Sequence, residues 1–199
     1  MPNDSAGAYV NKRICSLHHA AQSGNKTAAT SISKLKRAVG TEPGCDRVGA
    51  YAIAFNEAPS HLIGTGEEPS MEEWAVHISL TLWAMHQSAK PRLVHVRRST
   101  ANDTSLGAGA YRLAKATGKR LETGEMSRQM TALVSSSDIV DLEQNIRRLI
   151  SQFRAHDIDC DYALLADQIL AFAHEASRAS VKRQWAREYV RAAHNQTKE

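Results

Sequence analysis

The chain has 199 residues, a net charge of +4, 42% apolar residues and 23% charged residues, which excludes wholesale disorder and predicts a buried core. No run approaches the roughly 18 apolar residues of a membrane-spanning helix, so we expect no membrane span. The first residues lack a signal-peptide pattern, and the three cysteines are too widely spaced for a disulfide framework, so we expect a cytoplasmic protein.

The first half of the chain carries apolar residues at helical spacing. This spacing predicts helices over residues 9–21, 26–39, 48–56 and 71–88. Gly40 suits the position after the second helix, and Ser70 with Glu73 forms a capping-box pattern at the start of the fourth. The fourth helix is predicted to face inward with Met71, Trp74, Ile78, Leu82 and Met85. Residues 89–104 are predicted to be a polar, basic connector.

The second half contains no proline after Pro91, which permits long helices. Helices are predicted after Ser105, from Asp138 to Phe153, from about Asp161, and over residues 177–193, with Asp138 as an N-cap. The small residues around Gly107 and Gly109 are expected to allow close helix packing. The fold class is therefore all-α. We expect two tandem small helical bundles, residues 1–95 and 105–199, with 96–104 as the basic connector.

Charge is distributed in blocks along the chain. Residues 1–40, 90–120 and 178–191 are basic, whereas residues 41–73 and 138–175 are acidic. In the last helix Arg183, Arg187 and Arg191 recur every four residues, and like charges at this spacing repel. Two interpretations remain open: a polyanionic partner, or a solvated surface whose acids and bases pair within the chain.

The sequence lacks the residue patterns of a catalytic or metal site. Its nine histidines lack the spacing of a zinc site, and the acidic run Asp157, Asp159 and Asp161 lacks the glycine and glutamate of a calcium loop. We therefore expect no metal, no cofactor and no enzyme activity. A small enzyme with a histidine-based site has only the histidine count in its favour.

An ordered series of segments in the second half resembles a known family. The series comprises Ser105-Leu-Gly, Arg128, Ile146-Arg-Arg-Leu-Ile150, the stretch from Ile158 to Leu170, and Gln184-Trp-Ala-Arg-Glu-Tyr189. The early segment Ser33-Lys-Leu-Lys-Arg-Ala38 agrees more loosely. Together they resemble the small (CasB-type) subunit of Cascade, the type I-E CRISPR surveillance complex.

This resemblance implies an all-α, non-catalytic protein that acts in antiviral defence. It further implies partners: the backbone and large subunits of Cascade, crRNA and target DNA, and a second copy of the chain. Members of the family hold target DNA strands during R-loop formation, while the large subunit reads the PAM and a separate helicase-nuclease cuts.

The candidate nucleic-acid-binding residues come from two sources. The resemblance points to Lys36, Arg37, Arg112, Arg128 and Arg148. Charge clustering adds Arg97, Arg98, Lys115, Lys119, Arg120, Arg183 and Arg187. We expect these side chains to contact the backbone of RNA or DNA without reading sequence. The alternative is a helical protein–protein adaptor whose basic faces dock on acidic partner surfaces.

Overall fold

The computed structural model describes residues 5–99, 103–118 and 124–196. Within these ranges the chain forms nine α-helices and one 3-10 turn, Ser60–Leu62. The helices are α1 Ala6–Gln22, α2 Lys26–Arg37, α3 Ala50–Ala54, α4 Met71–Gln87, α5 Leu106–Ala116, α6 Glu125–Ser135, α7 Ile139–Ala155, α8 Tyr162–Ala173 and α9 Glu175–Gln196. The predicted all-α fold is confirmed. In the described ranges, no helix has both the length and the apolar character needed to cross a bilayer.

Polar side chains fix where most helices begin. An N-cap side chain accepts a hydrogen bond from a backbone N–H of the first turn, which would otherwise lack a partner. These caps are Ser5, Asn25, Ser70, Ser105, Asp138 and Asp161. The capping box of Ser70 and Glu73 and the cap at Asp138, both predicted from sequence, are confirmed.

Helix α4 lies at the centre of the fold and packs against α1, α2, α7 and α8. Most of its residues are buried, including Ile78 and Leu82 as predicted. The prediction that Met71 faces inward was wrong, since this side chain is 44% exposed. Met71 is the first residue of α4 and precedes the part of the helix that the neighbouring helices surround.

The segment after α4, which the sequence predicted to be a polar connector, is partly buried. Val94 and His95 are buried. The Cys160 N–H donates to the Val94 carbonyl at 3.1 Å, and the Tyr162 N–H donates to His95 Nδ1 at 3.1 Å. The segment is therefore held against the turn that precedes α8.

Helices that precede residues 96–104 pack against helices that follow them. Helix α8 packs against α1 and α4, while α5 packs most extensively against α9. Buried apolar residues from both sides of the connector join one cluster. The division of the chain into two bundles at this point stays a prediction.

Glycines let α5 approach its neighbours closely, as the sequence predicted. A Cβ atom on Gly107 would lie 2.5 Å from the Trp185 carbonyl oxygen in α9, and one on Gly109 would lie 2.6 Å from the Phe153 ring in α7. Both distances are shorter than carbon atoms tolerate, so helix packing requires glycine at these positions.

His86 makes the stability of the fold dependent on pH. The ring is buried, its Nδ1 lies 2.9 Å from the Tyr162 hydroxyl, and burial lowers the pKa of His86 to about 4. Because the unfolded chain binds a proton more readily than the folded one, stability falls as the pH drops from about 6.5 towards 4. Between pH 7 and 5.5 we expect a loss of about 1 kcal/mol from this group. Urea unfolding at pH 7 and at pH 5.5 measures this loss of stability.

The His86→Gln variant provides the control for this effect, because glutamine does not titrate. Burial also lowers the pKa of His77 and His95, so the variant retains part of the dependence. A variant whose stability falls as steeply as that of the parent protein between pH 7 and 5.5 would contradict the assignment to His86.

Candidate nucleic-acid interface

Cations of α2 and α7 reach the same residue, Ser88 at the end of α4, and form a basic surface there. We call it the α2–α7 surface; it comprises Lys36, Arg37, Arg147, Arg148 and Arg154. Lys36 Nζ donates to Ser88 Oγ at 2.8 Å, and Arg154 Nε donates to the Ser88 carbonyl at 3.2 Å. The two helices therefore bring cations together around the end of α4.

A second contact joins α7 to Gly40, which lies in the segment that follows α2. Its φ of +80° is left-handed, and a Cβ atom there would lie 2.9 Å from Arg147 Nη1. The chain thus passes directly beside the middle of α7. Two of the predicted site residues, Arg37 and Arg148, lie on the segments that this contact joins.

The apolar stripe of α7 determines which of its residues reach this surface. The buried residues are Leu142, Ile146, Leu149, Ile150 and Phe153, as predicted. Arg147 and Arg148 are exposed between them. On α2, Lys36 and Arg37 occupy the last turn, where positive charge also stabilises the helix dipole.

An open groove of about 580 Å³ lies on the surface, lined by Gly40, Val140, Glu143, Gln144, Arg147, Arg148, Ser151 and Gln152. Glu143 is the one carboxylate among these lining residues. Burial raises the pKa of Glu143, and the opposing effect of the Arg147 charge is smaller.

Arg128 and Arg148 lie on α6 and α7, two helices that contact each other. Asn145 Nδ2 donates to the Ala132 carbonyl of α6 at 3.3 Å, and Arg148 Nη1 donates to Asn145 Oδ1 at 3.2 Å. Arg128 lies four residues before Ala132, and Arg148 lies three residues after Asn145. The Arg128 side chain is exposed and makes no hydrogen bond or ion pair to another described residue.

The candidate residues after α4 have partners within the chain. Arg97 Nε lies 3.6 Å from an Asp161 carboxylate oxygen. Arg98 pairs with Asp103 at 3.1 Å and with Glu188 at 3.6 Å. These contacts compete with phosphate binding, so the role of Arg97 and Arg98 in nucleic-acid binding stays a prediction.

Asp157 and Asp159, which precede α8, pair with further cations of the basic block 90–120. Lys90 pairs with Asp157 at 2.5 Å, and Arg92 pairs with Asp159 at 2.5 Å. Arg112 Nη2 donates to the Asp159 carbonyl at 2.9 Å. Internal pairing, one of the two interpretations of the charge blocks, therefore applies to this region.

The remaining candidate residues lie elsewhere. Arg183 and Arg187 are exposed on α9, and neither makes a hydrogen bond or ion pair to another described residue. Glu188 is buried and accepts from Gln168 Nε2 at 2.9 Å, so it does not offset them. Lys115 is exposed in the last turn of α5. Lys119 and Arg120 lie outside the described residues.

Sequence reasoning missed Arg147 and Arg154. Arg147 follows Glu143 by four residues, a spacing at which opposite charges pair on an exposed helix face, whereas Glu143 is buried. Arg154 lies seven residues after Arg147 and thus on the same face of α7. This spacing is the sequence signal that would have identified it.

The histidines take part in structural contacts. His86 pairs with Tyr162 and His95 with Asn11, at 2.9 and 3.0 Å. Among the residues that the structure describes, no three His, Cys, Asp or Glu side chains come together as a metal site.

Comparison with known proteins matches the chain to a family and to solved structures that include two CasB proteins. The family described as CRISPR-associated protein Cse2 matches residues 31–189. The crystal structure of CasB from Thermobifida fusca is similar, with a TM-score of 0.71, 22% identity, and coverage of 92% of this chain and 97% of that one. The crystal structure of M. ruber CasB has a TM-score of 0.61, 18% identity, and coverage of 85% and 88%. No curated protein matches.

Proposed function

Because the chain belongs to the CRISPR-associated protein Cse2 family, the small subunit of type I-E Cascade, we propose that it stabilises target DNA strands in the R-loop by binding nucleic-acid backbone. It does so as a non-catalytic subunit. The observation that supports this function is the α2–α7 surface, where Lys36 and Arg37 of α2 are exposed and Arg147 and Arg148 of α7 line a groove whose one carboxylate among the lining residues is buried.

The energetics of an R-loop suit a subunit of this kind. Forming the RNA–DNA hybrid replaces a DNA duplex of similar stability, so modest protein contacts decide how long the opened state lasts. Arginine donates two parallel hydrogen bonds to a phosphate, which lysine does not. Four of the five cations on the α2–α7 surface are arginines, which favours phosphate as the ligand.

The surface is suited to backbone contacts and lacks a platform for base stacking. Aromatic residues make up 6% of the chain, and none lines the groove. Proteins that stack bases need such side chains. The α2–α7 surface therefore holds strands through their phosphates, and sequence reading is left to guide RNA pairing.

The remaining partners follow from membership of the complex. The backbone and large subunits of Cascade, crRNA, and a second copy of the chain are the expected neighbours. The complex works in the cytoplasm, where it meets foreign DNA.

Helix α9 favours a second candidate function, that of a protein–protein adaptor. Val190 is 50% exposed and lies close along the helix to Arg187 and Arg191. In this alternative, the face docks on an acidic surface of another subunit.

Salt dependence tests the backbone-binding function in the isolated chain. We expect weak binding to a labelled single strand, with log K falling by about 0.7 per neutralised phosphate as log salt rises. Lys36→Ala/Arg37→Ala should make the slope of log K against log salt shallower by about 1.4, since two phosphate contacts are lost. Fluorescence anisotropy over a salt series measures both.

The matched control removes the same charge elsewhere. Lys12 and Lys26 are exposed, and Lys26 lies ten residues from Lys36, about 15 Å along α2. Lys12→Ala/Lys26→Ala should leave the slope unchanged. Affinity that does not vary with salt would contradict the proposed function.

A further inference from the structure

Asn145 is a buried amide beside the cations of α7, with 7% of its surface exposed. Its Nδ2 lies 3.3 Å from the Ala132 carbonyl oxygen, 3.0 Å from Ser136 Oγ and 3.2 Å from Asp141 Oδ1. Its Oδ1 accepts a hydrogen bond from Arg148 Nη1 at 3.2 Å. The amide group therefore connects the end of α6 to an arginine of the α2–α7 surface.

The partners of Asn145 determine which way its amide group points. The Ala132 carbonyl and the Asp141 carboxylate only accept hydrogen bonds, so they require the Nδ2 donor. A flipped amide would place Oδ1 against these two acceptors. The Arg148 guanidinium only donates, so it requires Oδ1. The packing of α6 on α7 thus aims an acceptor at Arg148.

A neutral acceptor orients a guanidinium without cancelling its charge. Arg92 and Arg98 pair with carboxylates, which reduces the attraction that they offer to another anion. Arg148 is held by an amide, so its full positive charge remains for a ligand. The guanidinium has five N–H donors, and the hydrogen bond to Asn145 occupies one of them. The others can bind a phosphate.

Fixing Arg148 in advance strengthens its binding to a phosphate. Its side chain is exposed and lines the groove beside Arg147. A long side chain that becomes ordered only on binding loses rotamer freedom, and this loss weakens the complex. Because the contact with Asn145 restricts the guanidinium before the ligand arrives, less freedom is lost on binding.

We propose that Asn145 is a positioning residue of the α2–α7 surface, which holds the Arg148 guanidinium in the orientation that binds a strand phosphate in the groove. The proposal rests on the proposed function, which it deepens by naming the residue that prepares one of the phosphate contacts. Asn145 itself does not touch the strand and acts through Arg148.

Asn145→Leu removes the amide group while keeping a side chain of similar size. Ser136 Oγ still donates to the Ala132 carbonyl at 3.2 Å, so the variant should fold, which circular dichroism checks. We expect it to bind a labelled DNA single strand about threefold more weakly, part of the cost of ordering one long side chain. Fluorescence anisotropy gives the Kd.

The salt dependence separates positioning from loss of charge. In Asn145→Leu the slope of log K against log salt should stay unchanged, because the same number of phosphates is neutralised. In Arg148→Ala the slope should become shallower by about 0.7, since one phosphate contact is lost. The same anisotropy series measures both variants.

A double-mutant cycle tests whether Asn145 acts through Arg148. In the Arg148→Ala background, Asn145→Leu should cause no further change in Kd. A merely structural role of Asn145, exerted on the whole surface, would weaken binding by the same factor in both backgrounds.

The parent chain without nucleic acid gives an independent measurement. The order parameter of the Arg148 Nε–Hε group, from ¹⁵N relaxation, reports its motion on the ps–ns timescale. Arg187 is the internal reference, because it is exposed and makes no hydrogen bond or ion pair to another described residue. We expect a higher order parameter for Arg148 than for Arg187. This comparison needs no variant, so it decides the matter even where Asn145→Leu fails to fold.

Each outcome bears on a different claim. An unchanged Kd in Asn145→Leu, equal weakening in both backgrounds of the cycle, or an Arg148 order parameter no higher than that of Arg187 would overturn the positioning role and leave backbone binding intact. Absence of salt-dependent binding by the parent chain would overturn the proposed function itself.

Discussion

Replacing Gly107 with alanine is expected to destabilise the protein by about 3 kcal/mol, the upper end of the usual cost of overpacking a core. The added Cβ would lie 2.5 Å from the Trp185 carbonyl oxygen, 2.7 Å from Glu188 Cβ and 2.8 Å from the Tyr189 nitrogen. Two of these atoms are backbone, so α5 and α9 must move apart. Thermal unfolding measures the effect as a fall of roughly 6–12 °C in Tm.

Gly66 provides the matched control for this substitution. A Cβ atom there would meet no atom closer than the Glu68 carbonyl at 3.9 Å. Gly66→Ala should therefore change stability by less than about 0.5 kcal/mol. Unchanged stability in Gly107→Ala would mean that α5 and α9 do not pack as closely as described.

Removing charge from the α2–α7 surface is expected to shorten the lifetime of the R-loop in reconstituted Cascade. The variants are Lys36→Ala/Arg37→Ala, both on this surface, and Arg128→Ala/Arg148→Ala, which removes Arg148 of this surface together with Arg128 of α6. All four side chains are exposed, so each variant should fold with stability changed by less than about 0.5 kcal/mol. Loss of two phosphate contacts should shorten the lifetime about tenfold, which strand-displacement kinetics measure.

PAM recognition should persist in these variants, because the family resemblance assigns PAM reading to another subunit and, in the proposed function, the α2–α7 surface acts on strands already opened. Arg183→Ala/Arg187→Ala distinguishes the two functions proposed for α9. A shortened R-loop lifetime would assign α9 to strand binding. Loss of the subunit from the complex would assign it to a protein contact.

The helices were predictable from sequence because their apolar residues recur strictly at helical spacing. Leu142, Ile146 and Phe153 all face the core as predicted. The burial of Met71 was predicted wrongly, because periodicity gives a direction around the helix axis and does not show where along that axis the core ends. The caps at Ser70 and Asp138 were predictable since they involve contacts within three residues.

The pairing of charges was not predictable, because it depends on contacts distant in sequence. Lys90 and Asp157 are 67 residues apart yet form an ion pair, and only the fold brings them together. The pairing rule for charges four residues apart holds for exposed side chains, and it does not apply to Glu143 and Arg147 because Glu143 is buried.

Candidate site residues were partly recognisable. The resemblance identified Arg37 and Arg148, which lie on segments far apart in the chain, and the structure brings these segments together through Gly40 and Arg147. Charge clustering did not separate exposed cations such as Arg187 from paired ones such as Arg98. A local count of basic residues contains no information on partners supplied by other helices.

The most direct test of strand stabilisation by the α2–α7 surface compares two double variants in assembled Cascade. Lys36→Ala/Arg37→Ala and Lys12→Ala/Lys26→Ala remove the same charge, and all four residues are exposed. With incorporation of the subunit verified by mass spectrometry, we predict an R-loop lifetime about tenfold shorter for the first variant and unchanged for the second. Equal lifetimes in both variants and the parent complex would contradict the account.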